Sequence, residues 1–103
     1  MNTVYSKNKV SIRLTEERWA HITEEHNEIA GYYFEVLEVV SDPEAIYKGK
    51  EGECIAVRPI KEGKYLIVIY REISKEDGFI ITAFITKRVK YLERRQKLWP
   101  QRK

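Results

Sequence analysis

The chain has 103 residues, 43% of them hydrophobic and 34% charged, with a formal net charge of +3. That length suits one domain around one core, and the composition is that of a folded chain and not of a disordered one. No apolar run is long enough to cross a bilayer, residues 1–7 carry no apolar leader, and the single cysteine, Cys54, excludes an internal disulfide and a multi-cysteine zinc site. We therefore expect a reducing, cytoplasmic compartment and no membrane partner.

Residues 9–14 alternate polar and apolar, placing Val10, Ile12 and Leu14 on one face of a first strand. Thr15 has the character of a helix N-cap, and Glu16 and Glu17 suit the positive end of the helix dipole. The helix is expected to run to about Ile29, with Trp19, Ile22, His26 and Ile29 on one stripe and His21 on the other side among glutamates. Gly31 reads as a stop. A second helix is expected over 32–40 from the spacing of Tyr33, Val36, Leu37 and Val40, ended by Asp42-Pro43.

The period then changes to two. Strands are expected at 45–48, 53–58, 65–72 and 79–86, joined by the Gly-containing turns at 49–52, 61–64 and 74–78. Pro59 suggests a strand end or an edge, and the apolar centre of 66–69 suggests a strand covered on both faces. Residues 87–98 read as a short basic helix, Pro100 stops it, and 101–103 are expected to be loose. The fold expected is α+β in one domain over 1–103, with an ordered core at about 9–99. Its order is an N-terminal strand and two helices, a four-stranded antiparallel meander, and a basic C-terminal helix, the helices packed on one face of the sheet.

Charge is unevenly placed. Residues 87–103 hold eight basic residues and one acid, Glu93, whereas the other 86 hold eleven basic and fifteen acidic. This suggests an anionic partner for the C-terminal end; the alternative is a solvated helix. No metal is expected, because His21 and His26 are five residues apart and Cys54 stands alone. The five glycines form no nucleotide-binding fingerprint, so no cofactor is expected, and no serine-nucleophile elbow is present.

What remains suits metal-free cleavage of RNA, which needs a proton-transfer group near the ribose hydroxyl and cations or donors around the phosphoryl oxygens. Histidine is the natural shuttle and arginine the natural partner of phosphate. The candidates are His21, otherwise a solvent histidine, and His26, otherwise a core histidine. Arg58, Tyr70 and Arg71 follow, then Thr82 and Thr86, expected to share a face with Ile80 and Phe84. Lys87, Arg88, Lys90, Arg94 and Arg95 complete the set as phosphate-binding residues.

Taken together, RWAHITEEHNE at 18–28, DP at 42–43, YRE at 70–72, ITAFIT at 81–86 and RRQKLWP at 94–100 resemble the phage-Barnase-EndoU-Colicin-RelE-like group of small nucleases, found in phage proteins and toxin systems. The resemblance covers about residues 9–100. It implies an α+β fold and metal-independent RNA cleavage, with a histidine of the first helix and polar or basic residues of the later strands forming the site. His21 and His26 match its helix histidines, and Thr82 and Thr86 match hydroxyl positions of the last long strand. Arg58, Tyr70 and Arg71 match more loosely. Similar sequences often have proline after the second histidine; here it is Asn27, so the helix is free to continue. The function expected is a small ribonuclease, a toxin or phage-associated effector, with RNA as substrate and an acidic antitoxin or immunity protein as partner. The competing reading is a non-catalytic RNA- or protein-binding module that uses the basic end and the seven tyrosines.

Overall fold

The computed structural model describes residues 2–101. In chain order it has β1 (Asn2–Tyr5), β2 (Ser11–Leu14), α1 (Glu16–Glu25), a 3-10 turn (Asn27–Tyr32) and α2 (Tyr33–Ser41). Then come β3 (Ala45–Lys48), β4 (Cys54–Lys61), β5 (Lys64–Glu72), β6 (Gly78–Thr86), a second 3-10 turn (Lys90–Arg94) and β7 (Lys97–Trp99). The strands form one seven-stranded sheet in the order β1-β2-β6-β5-β4-β3-β7. It is mixed: β2 runs parallel to β6 through Ile12–Gly78 and Arg13–Phe79, and the other neighbours are antiparallel.

β5 is the middle strand, and its apolar run explains why. Leu66, Val68 and Tyr70 enter one buried cluster and Ile67 enters another. A period of two sends alternate side chains to opposite faces, so an unbroken apolar run needs cover on both. The larger cluster joins Leu66, Val68, Ala56 and Ile80 to Ile22 of α1, Ile29 of the 3-10 turn, and Val36, Val39 and Val40 of α2. The smaller one joins Ala45, Ile55, Val57 and Ile67 to Leu92, with Val89, Phe84 and Tyr65 at its margin. Each such fully buried aliphatic side chain contributes ~1.5–3 kcal/mol.

This corrects the expected four-stranded antiparallel meander with a C-terminal helix. β1 was not foreseen because Asn2-Thr-Val-Tyr5 has one part-buried apolar residue, Val4, and no alternation to read. It joins the sheet through backbone pairing with β2, across a turn in which Lys9 takes φ 65°. The expected helix over 87–98 is replaced by the second 3-10 turn and β7. A helix there has too few apolar positions to bury, whereas this path seats Leu92 over the sheet and pairs β7 with the free edge of β3. α1 ends at Glu25, short of Ile29, with His26 as its C-cap at φ −134°, ψ 72°. The helix breaks there although Asn27, and not proline, follows. β4 runs on through Pro59, where a missing N–H costs nothing in the ladder because β3 has already ended at Ala45–Val57. Of the C-terminal residues expected to be loose, Arg102 and Lys103 lie outside the described residues.

Candidate functional site

The Thr15 hydroxyl accepts a hydrogen bond from the Arg18 N–H at 3.0 Å, which starts α1 as expected of an N-cap. At the other end the His26 N–H donates to the Ile22 carbonyl at 2.8 Å, and the backbone then turns away. That turn takes the His26 ring off the core stripe and sets it against the Phe84 ring of β6, 5.5 Å between centroids and tilted by 37°. Its Nδ1 is 3.9 Å from Oε2 of Glu28. His21 is exposed elsewhere on α1, beside Thr15, Glu17, Arg18 and Glu25. The two histidines therefore do not meet.

The register of β6 decides which side chains stand near His26. Tyr70 pairs with Ile80 and Ile69 pairs with Thr82, so Ile81 is an extra residue, a β-bulge. The bulge reverses the alternation. Ile80 lies in the helix-side cluster, while Thr82, Phe84 and Thr86 pair with Ile69, Ile67 and Tyr65 and lie on the opposite face. The expectation that Thr82 shares a face with Ile80 is thereby corrected, and Thr82 and Thr86 keep a common face. Alternate residues of a strand are ~7 Å apart, so Thr82 and Thr86 lie on either side of Phe84 along the strand. β2 pairs with β6 only at Gly78 and Phe79, which leaves the outer edge of β6 without a strand partner beyond them. Thr82 Oγ1 is enclosed and has no hydrogen-bond partner among the described residues. Thr86 Oγ1 accepts from the Arg88 N–H at 3.0 Å, so Lys87 and Arg88 leave the strand directly beside this hydroxyl, both exposed.

The other candidates divide. Arg58 is paired within the fold, 3.1 Å from Glu38 Oε1 of α2, and also donates to the Asp42 carbonyl. Tyr70 is 1% exposed in the larger cluster and has no route to a substrate. Arg71, opposite Phe79, donates to the Glu51 carbonyl at 3.1 Å. Lys90 and Arg94 are exposed on the second 3-10 turn. Arg95 is part-buried, and its Nε is enclosed without a partner among the described residues. Sequence reading passed over Phe84, whose aromatic ring positions His26, and Glu28.

It also passed over the larger charge division. Residues 16–44 hold nine acidic residues and one basic, Arg18; the remainder of the chain holds seven acidic and eighteen basic. α1 and α2 are therefore an acidic layer, and the sheet with residues 87–101 carries the cations. Both His21 and His26 belong to the acidic layer, and the cations nearest β6 are Lys87 and Arg88 at its end. A count by segment over the whole chain shows this division without coordinates.

Tyr70 and Cys54 are both buried and stand opposite each other in the β4–β5 pairing. Burial pushes the phenol well above its ordinary range, and the Cys54 thiol and Glu72 push it further. Burial, followed by Glu72, raises the thiol. Both groups are acids held neutral by the fold. The stability this provides is complete below the ordinary thiol and phenol values, ~8.5 and ~10, and is lost as pH rises from there towards the raised folded-state values. Thermal melts between about pH 9 and 11 are expected to show a steeper fall in Tm for the wild type than for Tyr70→Phe. Parallel slopes would refute the assignment.

Among the described residues, no three or more His, Cys, Asp or Glu side chains are grouped to hold a metal ion. No helix is long and apolar enough to cross a membrane. No protein-family model, curated protein or solved structure matches the chain.

Proposed function

We propose that the protein is a small ribonuclease of the phage-Barnase-EndoU-Colicin-RelE-like kind that cuts RNA without a metal, as a toxin or phage-associated effector would. The observation that carries this reading is the His26 ring held on Phe84 of β6, the strand that also carries Thr86 and leads into Lys87 and Arg88, at a stretch with no strand partner on its outer side. His26 takes the proton of a ribose 2′-hydroxyl, and the 2′-oxygen attacks the adjacent phosphorus. The bond from phosphorus to the 5′-oxygen breaks, and that oxygen takes a proton from water. The products are a 2′,3′-cyclic phosphate and a 5′-hydroxyl. The Thr86 hydroxyl donates to the phosphoryl oxygens, and Lys87 and Arg88 balance the charge that builds on them.

The charge division supports the same approach of the polyanion, from the side of the sheet and the C-terminal segment. The test is incubation of the purified protein with RNA in chelator, with the ends of the products identified. Fragments ending in 2′,3′-cyclic phosphate are expected, and DNA, which lacks the 2′-hydroxyl, stays whole. RNA left intact across a range of pH, yet bound with a steep salt dependence, would instead establish the binding-module reading.

A further inference from the structure

β1 is the last strand at its end of the sheet: it pairs with β2 and has no strand on its outer side. The turn after it fixes which backbone groups point outwards. The Ser6 N–H donates to the Val10 carbonyl at 2.9 Å, and hydrogen-bonded pairs alternate along an antiparallel ladder. Val4–Ile12 and Asn2–Leu14 are therefore the hydrogen-bonded pairs of β1 and β2, and Thr3 and Tyr5 direct their N–H and carbonyl groups away from β2. An edge that presents such groups is a template for a further strand.

The two ends of the sheet differ in chemistry. β7, at the far end, is three residues long, carries the exposed Lys97 and is followed at once by Pro100. A short strand, a lysine and a proline are what keep other chains from adding to an edge. Asn2-Thr-Val-Tyr5 has neither charge nor proline, and the Tyr5 side chain is 66% exposed. On the helix side the edge is bordered by Tyr33, whose hydroxyl accepts from the Asn2 amide at 2.6 Å, and by Phe34, edge-on to Tyr33 at 5.3 Å and 74% exposed. The strand is also complementary to itself. With a second copy set antiparallel and the two-fold axis at Val4, Thr3 of each copy stands opposite Tyr5 of the other. Those are the outward-pointing residues, so each Thr3–Tyr5 pair exchanges both of its N–H···O bonds and sets an aromatic against a β-branched side chain. In such an isologous contact a charge at the axis would meet its own like; β1 places none there.

We infer that β1 is a dimerisation edge through which two copies of this chain join into one continuous sheet. This holds whether or not the protein cuts RNA, and its test reads mass and amide protection. Light scattering over a concentration series is expected to show the mass rising from 12.3 kDa towards twice that value. The amides of Thr3 and Tyr5 gain protection from hydrogen exchange as concentration rises, whereas that of Val4, already bonded to β2, does not depend on concentration. Tyr5→Lys guards the edge as Lys97 guards β7, and Thr3→Pro removes an outward donor but none of the bonds to β2; both variants are expected to stay at the single-chain mass. Circular dichroism checks that each is folded, and if one is not, the other variant and the wild-type exchange pattern decide. The dimer is expected to survive about 1 M salt, which screens charges beyond ~3 Å. A single-chain mass up to about 1 mM, where even weak association registers, overturns the inference. So does a dimer that both variants retain, or one that salt dissolves, which would instead mark a contact between the acidic helices of one copy and the basic segment of another.

Discussion

Gly78→Ala is expected to lower the stability of the domain by about 3 kcal/mol, at the upper end of what overpacking costs. Gly78 pairs with Glu72 of β5 on one side and with Ile12 of β2 on the other. A Cβ there would land on the Arg71 carbonyl oxygen and on Cδ1 of Ile12, with the Glu72 Cα at 3.2 Å. The isoleucine tip can rotate away, but the carbonyl cannot, because it belongs to the central strand of the sheet. The strands must separate, and β2 is the element least able to follow, since it holds β6 through two residue pairs only. Stabilities of domains this size are ~5–15 kcal/mol, so the loss is a large share. Urea denaturation would show it as a lower midpoint at unchanged slope. A change under 1 kcal/mol would mean that the close approach is relieved cheaply. Gly31, where a Cβ meets nothing within 4 Å, is the matched control.

His26→Ala is expected to reduce RNA cleavage by about 10²–10⁴-fold, the usual contribution of a positioned proton-transfer group. His21→Ala is expected to leave cleavage within about twofold, since at surface positions away from the site such changes are small. The contrast follows from geometry. His26 lies against Phe84 of β6, whereas His21 is exposed beside Glu17, Glu25 and Arg18. His26→Gln separates chemistry from packing: it retains a polar side chain over Phe84 but no ring nitrogen to take a proton. It should keep RNA affinity and lose turnover. Loss of activity in His21→Ala with His26→Ala active would place the site on the other side of α1 and contradict the present assignment.

Much of the secondary structure is written locally. The Thr15 cap, the spacing of Val36 and Val40, and the two long strands at 65–72 and 79–86 are signals within a few residues; α1 begins at its cap, and α2, β5 and β6 begin and end within one or two positions of the expected bounds. Where a segment has no apolar pattern of its own, the reading fails. β1 and β7 are short edge strands held by backbone hydrogen bonds to β2 and β3, and those bonds depend on a neighbour's edge being free, which is a property of the whole sheet.

The candidate site divides in the same way. By itself the sequence determined the alternation of its long strands, two threonines on a common face, and the separation of an acidic 16–44 segment from a basic remainder, because these depend on residue type and spacing alone. Only the tertiary structure decided that α1 breaks at His26, that a bulge at Ile81 turns Thr82 away from Ile80, that Tyr70 and Arg58 are consumed by the core and by Glu38, and that β6 has an edge without a strand partner next to a histidine. The physical reason is that a bulge and a helix end are fixed by the packing on both sides of them. A single extra residue in one strand exchanges its faces, and no count along the chain registers which face the neighbours fill.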